Sequence, residues 1–528
     1  MENLGTMKSS QIPGLITGAI LLFFIIISGN VYSQLPQAEW FTGHGTNSEE
    51  HVHEGMQTSD SGYIGIGGGI EEEDTDDMII IKVDENGTLE WQKDVGTENK
   101  PGTGYCIIEI SDGYIAGGAL YDSVTDRTQR FLTKIDFDGN TIWEKFYESP
   151  KVGGIRGIDI TKNGTIIATG YSNTPNWGEF QGFVFIVDEG DGFIMEIDNA
   201  GNLLWENIID APQGTKVREI EDGYIVCSCV WNWTAGAGDH MDFCLIKTDT
   251  LGNTIWKKYL GGLEDDHLYD FDLTNDGGYI LGGHTLSYDV ENWDYLLMKT
   301  DNDGNEEWHR TFGQPRGYDA QYIHDEAYGV RQTPDGGYII CGGSGDEHSY
   351  SASGHPSGPS DEWKVFLAKT DGSGNTLWQD VYPSDSAGNN AGEYLGLTED
   401  GGFIIFVDSD SHETPDPNNF GFLKIEPDTI TVPTHGVIDH SEVLINLKNY
   451  PNPFYKSTSL EYYISERCNV EINIYNTLGA KILTLVNQVQ TEGKHSIVWD
   501  AKNCFPGIYF YRISTGNDAI IGKMILAK

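Results

Sequence analysis

The amino-acid sequence predicts an all-β protein, a seven-bladed β-propeller followed by a small immunoglobulin-like β-sandwich. Three observations lead to this prediction. A ten-residue motif with an Asp, a Gly and a closing Trp recurs along most of the chain. A strand signal of the form Gly-x-Ile recurs with it seven times. After residue 443 the repeats stop, and about seven short strands separated by turn residues follow.

The recurring motif is clearest at residues 247–256, 299–308 and 369–378. Apolar residues precede it, so a buried strand enters the motif. Its Asp can accept hydrogen bonds from backbone N–H groups of a turn, and its Gly suits the left-handed position of a hairpin loop. The Trp then fits the half-buried face of the returning strand. The motif therefore predicts a β-hairpin that serves the scaffold.

Each repeat consists of four predicted strands, which we name a to d in chain order. Strand b begins at the Gly-x-Ile signal in every repeat, and its Gly residues are Gly62, Gly113, Gly164, Gly223, Gly278, Gly337 and Gly402. The closing Trp is out of phase, because Trp40 precedes any strand a. We therefore predict that the strand at Trp40 completes the last repeat and closes a ring. An extra apolar run at residues 183–188 leaves the blade count open by one.

The chain divides into four predicted segments. Residues 1–33 predict a secretory signal peptide, because a short apolar run precedes small residues. A retained membrane anchor is the alternative for this segment. Residues 34–427 hold the repeats, residues 428–443 form a linker and residues 444–528 form the second domain. We expect no transmembrane segment once the signal has been removed.

The net charge of −49 at pH 7 limits the choice of partner. From residue 439 onward the chain has nine basic and eight acidic side chains, so the negative charge lies almost entirely in the repeats. Such a surface repels a phosphate backbone, and we expect no nucleic-acid partner. Cations, basic partners and neutral ligands remain compatible with this charge. Seven scattered cysteines do not form a disulfide framework.

The repeats resemble quinoprotein-like propeller repeats of bacteria, which carry an Asp, Gly and Trp signature in the same hairpin. Quinone-binding dehydrogenases of that kind pair adjacent cysteines near the cofactor. Here Ser228 separates Cys227 from Cys229. The resemblance therefore implies the propeller repeat, and the separation of the two cysteines argues against a quinone cofactor.

The last 80 or so residues carry a specific combination of motifs, including Tyr-Pro-Asn-Pro-Phe at 450–454 and a basic C-terminus. The residues of this sorting motif are Pro451, Asn452, Pro453, Gly507, Tyr509, Arg512, Lys523 and Lys528. They resemble the type A C-terminal sorting domain of type IX secretion cargo. The resemblance implies passage through the periplasm, type IX secretion machinery as partner, and an extracellular or outer-membrane-surface location. An ordinary carbohydrate-binding or adhesive sandwich is the alternative.

The b–c and d–a loops share one face of a propeller, and here they are long and irregular, as functional loops tend to be. We call this face the long-loop face, and we call the opposite one, with the a–b and c–d turns, the short-turn face. Aromatic side chains on the long-loop face predict a surface for a glycan, because flat rings with polar rims suit sugars. The predicted ligand-binding residues are Trp177, Trp231, Trp233, Trp293, Tyr350 and Trp363.

Carboxylates and histidines on the same face predict a metal site, with calcium as the candidate, because clustered carboxylates are hard oxygen ligands. Two triplets align when repeats are superposed on Thr58 and Thr274. The predicted metal ligands are Glu49, Glu50, His51, Asp265, Asp266 and His267. A solvated acidic rim without a ligand is the simpler alternative.

These observations predict an exported, non-catalytic protein that binds a glycan, an extracellular protein or another envelope partner. A carbohydrate-active hydrolase or lyase with a carboxylate pair is the first alternative. The carboxylates are too numerous for any pair to stand out, so we assign no catalytic residues and no cofactor. A structural spacer or assembly component is the second alternative.

Overall fold

The structure is a computed structural model that describes most of the chain. The described residues are 35–45, 49–70, 78–96, 102–174, 187, 189–231, 240–317, 320–345, 363–382, 388–409, 419–428, 444–450, 454–464, 467–475, 481–491, 493–502, 504, 507–514 and 519–526. The chain falls into two compact units, Met1–Val432 and Pro433–Lys528, each described by itself below. The predicted signal peptide and nearly all of the predicted linker lie outside the described residues. No described helix is long and apolar enough to cross a membrane.

The first unit consists of short β-strands, with one 3₁₀ turn at Ala320–Tyr322. The strands are β1 (Ala38–His44), β2 (Glu49–Gln57), β3 (Tyr63–Ile70), β4 (Met78–Val83), β5 (Leu89–Val95), β6 (Gly102–Ile110), β7 (Gly113–Asp122), β8 (Arg127–Ile135), β9 (Thr141–Tyr147), β10 (Val152–Ile160), β11 (Ile166–Thr174), β12 (Asp191–Ile197), β13 (Leu203–Ile208), β14 (Lys216–Ile220), β15 (Gly223–Trp231), β16 (Met241–Thr248), β17 (Thr254–Leu260), β18 (Asp266–Leu273), β19 (Tyr279–Thr285), β20 (Asp294–Thr300), β21 (Glu306–Phe312), β22 (His324–Gln332), β23 (Tyr338–Gly345), β24 (Lys364–Thr370), β25 (Thr376–Tyr382), β26 (Asn390–Leu397), β27 (Phe403–Ser409) and β28 (Asn419–Ile425). The prediction of an all-β protein is confirmed.

In the described part of the first unit, the strands form seven sheets of four antiparallel strands. Six sheets take consecutive strands, namely β2–β5, β6–β9, β10–β13, β14–β17, β18–β21 and β22–β25. The seventh has the order β1-β28-β27-β26. Radial repetition of such sheets is the β-propeller architecture.

The first strand closes the seventh sheet. Strand β1 pairs antiparallel with β28, which places Trp40 opposite Lys424 and Thr42 opposite Phe422. The backbone N–H of Glu426 also donates to the carbonyl of Gln37 at 2.8 Å. The predicted ring closure by the strand at Trp40 is therefore confirmed.

The recurring motif forms the predicted hairpin. Asp249 Oδ1 accepts from the backbone N–H groups of Leu251 and Asn253, each at 2.9 Å. Gly252 has a φ of +80°, which a side chain would strain. A Cβ on Gly252 would lie 2.5 Å from the ring of Trp205, which belongs to the preceding sheet. The glycine therefore serves both the turn and the contact between sheets.

The same contact recurs around the ring, and it assigns the motif a second task that the sequence did not reveal. The further Trp–Gly pairs are Trp40–Gly87, Trp91–Gly139, Trp143–Gly201, Trp256–Gly304 and Trp308–Gly374. Each Trp packs against the turn glycine of the following sheet. The motif therefore fixes both a hairpin and the order of neighbouring sheets.

We expect Asp301→Ala to lower the free energy of unfolding by about 1 kcal/mol, because it removes a turn acceptor. Asp301 Oδ1 accepts from the N–H groups of Asp303 and Asn305 at 2.9 and 2.8 Å. The side-chain amide of Asn305 also donates to Asp301 Oδ2 at 2.9 Å. This bond, followed by the backbone bonds, lowers the pKa of Asp301, so its stabilising contribution is lost as the pH falls through that pKa. Denaturant unfolding at neutral and acidic pH measures the effect. Asp303→Ala, at an exposed position of the same turn, is the matched control; equal loss in both variants would contradict the assignment.

The second unit is a pair of β-sheets. Its strands are β29 (Leu444–Tyr450), β30 (Ser457–Ile464), β31 (Cys468–Tyr475), β32 (Lys481–Gln490), β33 (Gly493–Asp500), β34 (Gly507–Ser514) and β35 (Ala519–Leu526). One sheet has the order β29-β30-β33 and the other β32-β31-β34-β35. Both sheets contribute to one core, in which Trp499 is 1% exposed and contacts Phe454 and Tyr509 edge-on.

Candidate functional site

Three of the six predicted ligand-binding residues, Trp177, Trp233 and Tyr350, lie outside the described residues. The other three are half-buried and lie in different sheets. Trp363, just before β24, packs against β23, where a Cβ on Gly345 would meet its ring at 2.5 Å. The three described aromatic residues therefore belong to three successive sheets.

Trp231 borders a groove between two neighbouring sheets. The groove has a volume of about 500 Å³, and Asp191, Asp210, Lys257 and Tyr259 also line it. Lys257 Nζ lies 3.5 Å from Asp210 Oδ2 and 5.0 Å from the centroid of the Tyr259 ring. The groove thus combines two aromatic side chains with groups of both charges.

In the first triplet of predicted metal ligands, Glu50 is buried and His51 is paired with another side chain. Glu49 is the first residue of β2, and its side chain is not among the described side chains. Glu50 is 1% exposed. His51 Nδ1 forms an ion pair with Asp408, whose other oxygen accepts from the N–H of Val52 at 2.8 Å.

In the second triplet, at the start of β18, the two aspartates accept hydrogen bonds from neighbouring residues. Asp265 Oδ1 accepts from the N–H of Met241 at 2.8 Å. Asp266 is fully buried and accepts from the hydroxyls of Thr285 and Ser287. Its burial raises its pKa to about 6. The carboxylate oxygens of this triplet therefore serve the packing of neighbouring loops.

The two triplets lie in different sheets, because one begins β2 and the other β18. Among the described residues, no group of three or more His, Cys, Asp or Glu side chains is arranged to hold a metal ion. The two triplets occupy equivalent positions in their repeats. Because each repeat forms its own sheet, equivalent positions lie in different sheets and are not brought together.

The centre of the ring holds a polar site that the sequence analysis missed. The innermost strands of six sheets, which are β2, β6, β10, β18, β22 and β26, each contain a β-bulge at the same place. A bulge adds one residue and redirects its side chain. The extra residues are His53, Tyr105, Arg156, Tyr269, Tyr328 and Glu393. All six line one central cavity, together with Thr215, Lys216 and Tyr394.

Two ion pairs lie beside this cavity. Lys216 pairs with Glu54, and Arg331 pairs with Asp270. The ring of Tyr394 lies near both cations, with Lys216 Nζ at 4.7 Å and Arg331 Cζ at 4.9 Å from its centroid. Buried charges are tolerated where they are paired in this way. The positive charges of Lys216 and Arg331 are therefore balanced within the protein.

The carboxyl group of Glu393 differs from those of Glu54 and Asp270, because no ion pair with a described residue is formed by it. Glu393 is 8% exposed and lines the cavity. Burial raises its pKa well above the usual range, and the nearby carboxylates Asp408 and Glu326 raise it further. Ionisation of the Glu393 carboxyl group is therefore disfavoured at this position.

An aromatic cluster extends from the cavity toward the long-loop face. Tyr269 lies 4.8 Å from Tyr328 and 5.2 Å from His284, measured between ring centroids. Trp293 lies 4.9 Å from His284 and 4.6 Å from His267. Burial lowers the pKa of His284 to about 3, so this histidine is neutral at neutral pH. Two predicted residues, Trp293 and His267, thus belong to the aromatic cluster beside the central cavity.

Residues 448–527 match the family described as secretion system C-terminal sorting domain. This match confirms the predicted sorting domain and indicates export through the type IX secretion system to the cell surface or beyond. It covers most of the second unit and none of the repeats. No curated protein sequence matches the chain.

Several solved structures are similar to the chain at low sequence identity. The WD40 domain of Pan2 from Neurospora crassa has a TM-score of 0.45 and 11% identity, covering 76% of this chain and 99% of its own. PorZ of Porphyromonas gingivalis is described as an essential bacterial surface component of the type IX secretion system. It has a TM-score of 0.40 and 10% identity, and the match covers 92% of this chain and 60% of the PorZ chain. The β-propeller domain of the trilobed protease from Pyrococcus furiosus has a TM-score of 0.38 and 11% identity, and the match covers 75% of this chain and 100% of that domain. At these values, similarity carries no inference about ligand or activity.

Proposed function

We propose that the chain is an exported seven-bladed propeller that binds a glycan on its long-loop face, with an immunoglobulin-like sandwich as its sorting domain. The groove at Trp231 is the observation that carries the proposed binding role. The blade count is supported by the seven sheets among the described residues and by the Trp–Gly contacts that join successive sheets. The two-sheet core of the second unit supports the sandwich.

The groove has the chemistry that sugar recognition needs. An aromatic ring offers a flat apolar face for the C–H side of a sugar, and charged groups at its edge bind hydroxyls. Trp231 and Tyr259 supply the rings, while Asp191, Asp210 and Lys257 supply the polar edge. The volume of about 500 Å³ accommodates a ligand of one to a few sugar units. Trp233 lies two residues beyond Trp231 in the sequence.

We expect Trp231→Ala to weaken binding about tenfold, which corresponds to about 1.4 kcal/mol. The loss follows from removing the largest aromatic side chain that lines the groove. A glycan array probed with the purified protein identifies a ligand, and calorimetric titration of that ligand compares the variants. Leu263→Ala is the control, because Leu263 is 67% exposed and does not line the groove.

Two results would contradict this proposal. Unchanged affinity in Trp231→Ala, with a folded protein, would remove the groove from consideration. Turnover of a polysaccharide by the purified protein would contradict the non-catalytic role and favour the hydrolase or lyase alternative.

A further inference from the structure

We propose that an apolar groove near the centre of the short-turn face binds a basic polypeptide segment that carries a large apolar side chain. The groove lies where β26, β2, β6 and β10, the innermost strands of four successive sheets, enter their a–b turns. We call it the short-turn groove, and its apolar lining residues are Met56, Ile110, Phe137, Ile160 and Leu397. It lies on the opposite face from the groove at Trp231, and neither proposal depends on the other.

The short-turn groove is a large hollow with accessible apolar side chains. Its volume is about 760 Å³, against about 500 Å³ for the groove at Trp231. Phe137 is 45% exposed and Ile160 is 39% exposed, although most large apolar side chains of the sheets are buried. Apolar surface that is gathered in a hollow commonly marks a binding surface, whereas single exposed apolar residues do not. Covering these two side chains with a ligand removes apolar surface from water and favours binding.

Hydrogen bonds between neighbouring sheets fix three walls of the groove. The backbone N–H of Ser59, after β2, donates to Glu109 Oε2 of β6 at 2.8 Å. The backbone N–H of Glu399, after β26, donates to Gln57 Oε1 of β2 at 2.8 Å. The walls are therefore held in place before a ligand binds, which reduces the entropy that ordering the site would cost.

The turns of this face carry a strong excess of negative charge. The a–b turns contain eight acidic residues and the c–d turns contain nine, against a single basic residue, Lys162. The a–b turns are residues 58–62, 111–112, 161–165, 221–222, 274–278, 333–337 and 398–402, and the c–d turns are residues 84–88, 136–140, 198–202, 249–253, 301–305 and 371–375. Such a face attracts basic partners and steers them toward it.

Lysines of the c strands balance only part of this charge. Six of them reach the a–b turns, and each lies 2.9–3.1 Å from an aspartate oxygen. The pairs are Lys82–Asp60, Lys134–Asp112, Lys247–Asp222, Lys299–Asp276, Lys369–Asp335 and Lys424–Asp400. The c–d turns have no such set of lysines, so the face keeps its negative charge.

This charge selects among the partners that an apolar groove could take. A second copy of the chain would bring a net charge of −49 and would be repelled. A neutral apolar ligand would gain nothing from the carboxylates of Glu109 and Glu399, which also line the groove. A basic segment uses both features, because its apolar side chain enters the groove while Lys or Arg side chains meet the surrounding carboxylates.

A short labelled peptide serves as the probe. It contains one Phe between two pairs of Lys, and fluorescence anisotropy measures its binding to the full chain. We expect saturable binding that weakens as sodium chloride is added, because salt screens the attraction. Replacing the Phe of the peptide with Ser should weaken binding about tenfold, and replacing its Lys residues with Glu should abolish binding.

Two variants of the protein test the position of the site. Ile160→Ser should weaken binding about tenfold, because it removes an exposed apolar side chain from the groove. Ile255→Ser is its control, since Ile255 is 54% exposed and does not line the groove. Glu399→Lys should also weaken binding about tenfold, because it reverses a charge in the groove. Glu264→Lys makes the same change in net charge at an exposed position of the long-loop face and is the second control.

Five results would overturn the proposal. Absence of saturable binding to the wild-type protein would overturn it outright. Equal weakening in Ile160→Ser and Ile255→Ser would remove the groove, and equal weakening in the two charge reversals would show general attraction to an acidic protein. Equal affinity for a peptide with Ser in place of Lys would contradict the basic class of partner. Self-association of the protein alone in sedimentation, abolished by Ile160→Ser, would show that the groove takes a second copy instead.

Discussion

Deletion of residues 35–45 is expected to abolish cooperative folding of the propeller. These residues supply β1, the fourth strand of the seventh sheet, which pairs with β28 at six positions from Ala38 to His44. Without it, β28 becomes an exposed sheet edge that invites aggregation. The deletion also removes Trp40 from its contact with Gly87, and the carbonyl of Pro36 that accepts from Tyr382 at 2.8 Å. Calorimetry and size-exclusion chromatography of the variant measure the loss.

A circular rearrangement separates loss of the strand from loss of its position in the chain. If residues 35–45 are moved to follow residue 428, joined by a turn like that at residues 371–375, β1 can pair with β28 as part of an ordinary hairpin. We expect this variant to regain a cooperative transition near that of the wild type. A deletion variant that melts like the full chain would show that the ring does not depend on β1.

The scaffold could be predicted from sequence because its signals are local and repeated. The Asp, Gly and Trp of the motif act within one hairpin, and the isolated Trp40 revealed the closure. The contacts between sheets were not predicted, although they use the same residues. A glycine that satisfies a turn gives no separate sign that the Trp205 ring also packs against it, as at Gly252.

The residue types of the central site gave no repeated signal, because its residues share a position and not a chemistry. His53, Arg156 and Glu393 have no common motif, and a bulge leaves no fixed sequence mark. One signal was available. In five repeats, the lining residue lies five positions before a Thr that starts the a–b turn, as with Tyr269 and Thr274. Superposing repeats on that Thr aligns the lining residues.

The burial of two predicted metal ligands could not be predicted from the sequence. Asp266 and Glu50 were proposed because clustered carboxylates are hard oxygen ligands for a cation. The structure buries both, and Asp266 accepts hydrogen bonds that fasten neighbouring loops. Only tertiary structure decides whether a loop carboxylate faces solvent or closes a packing contact, and a single sequence does not contain that information.

Removal of residues 444–528 is expected to eliminate the protein from the cell surface and the medium while leaving the propeller folded. Residues 448–527 match the secretion system C-terminal sorting domain. The second unit has its own core, so its removal need not disturb the sheets of the first. In a host with type IX secretion, surface proteolysis and quantification of the medium measure export. The melting temperature of the purified truncated chain tests whether the propeller remains intact.

Two point substitutions distinguish the sorting signal from the mere presence of a tail. Trp499→Ala removes the largest side chain in the core of the second unit and should cost about 3–5 kcal/mol, enough to unfold a small domain and block export. Tyr455→Ala alters a side chain that is 72% exposed and should be exported normally. Normal export of the truncated chain would refute the sorting role. Export of Trp499→Ala with an unfolded second unit would mean that the machinery reads a linear segment, because a folded second unit would then be unnecessary for recognition.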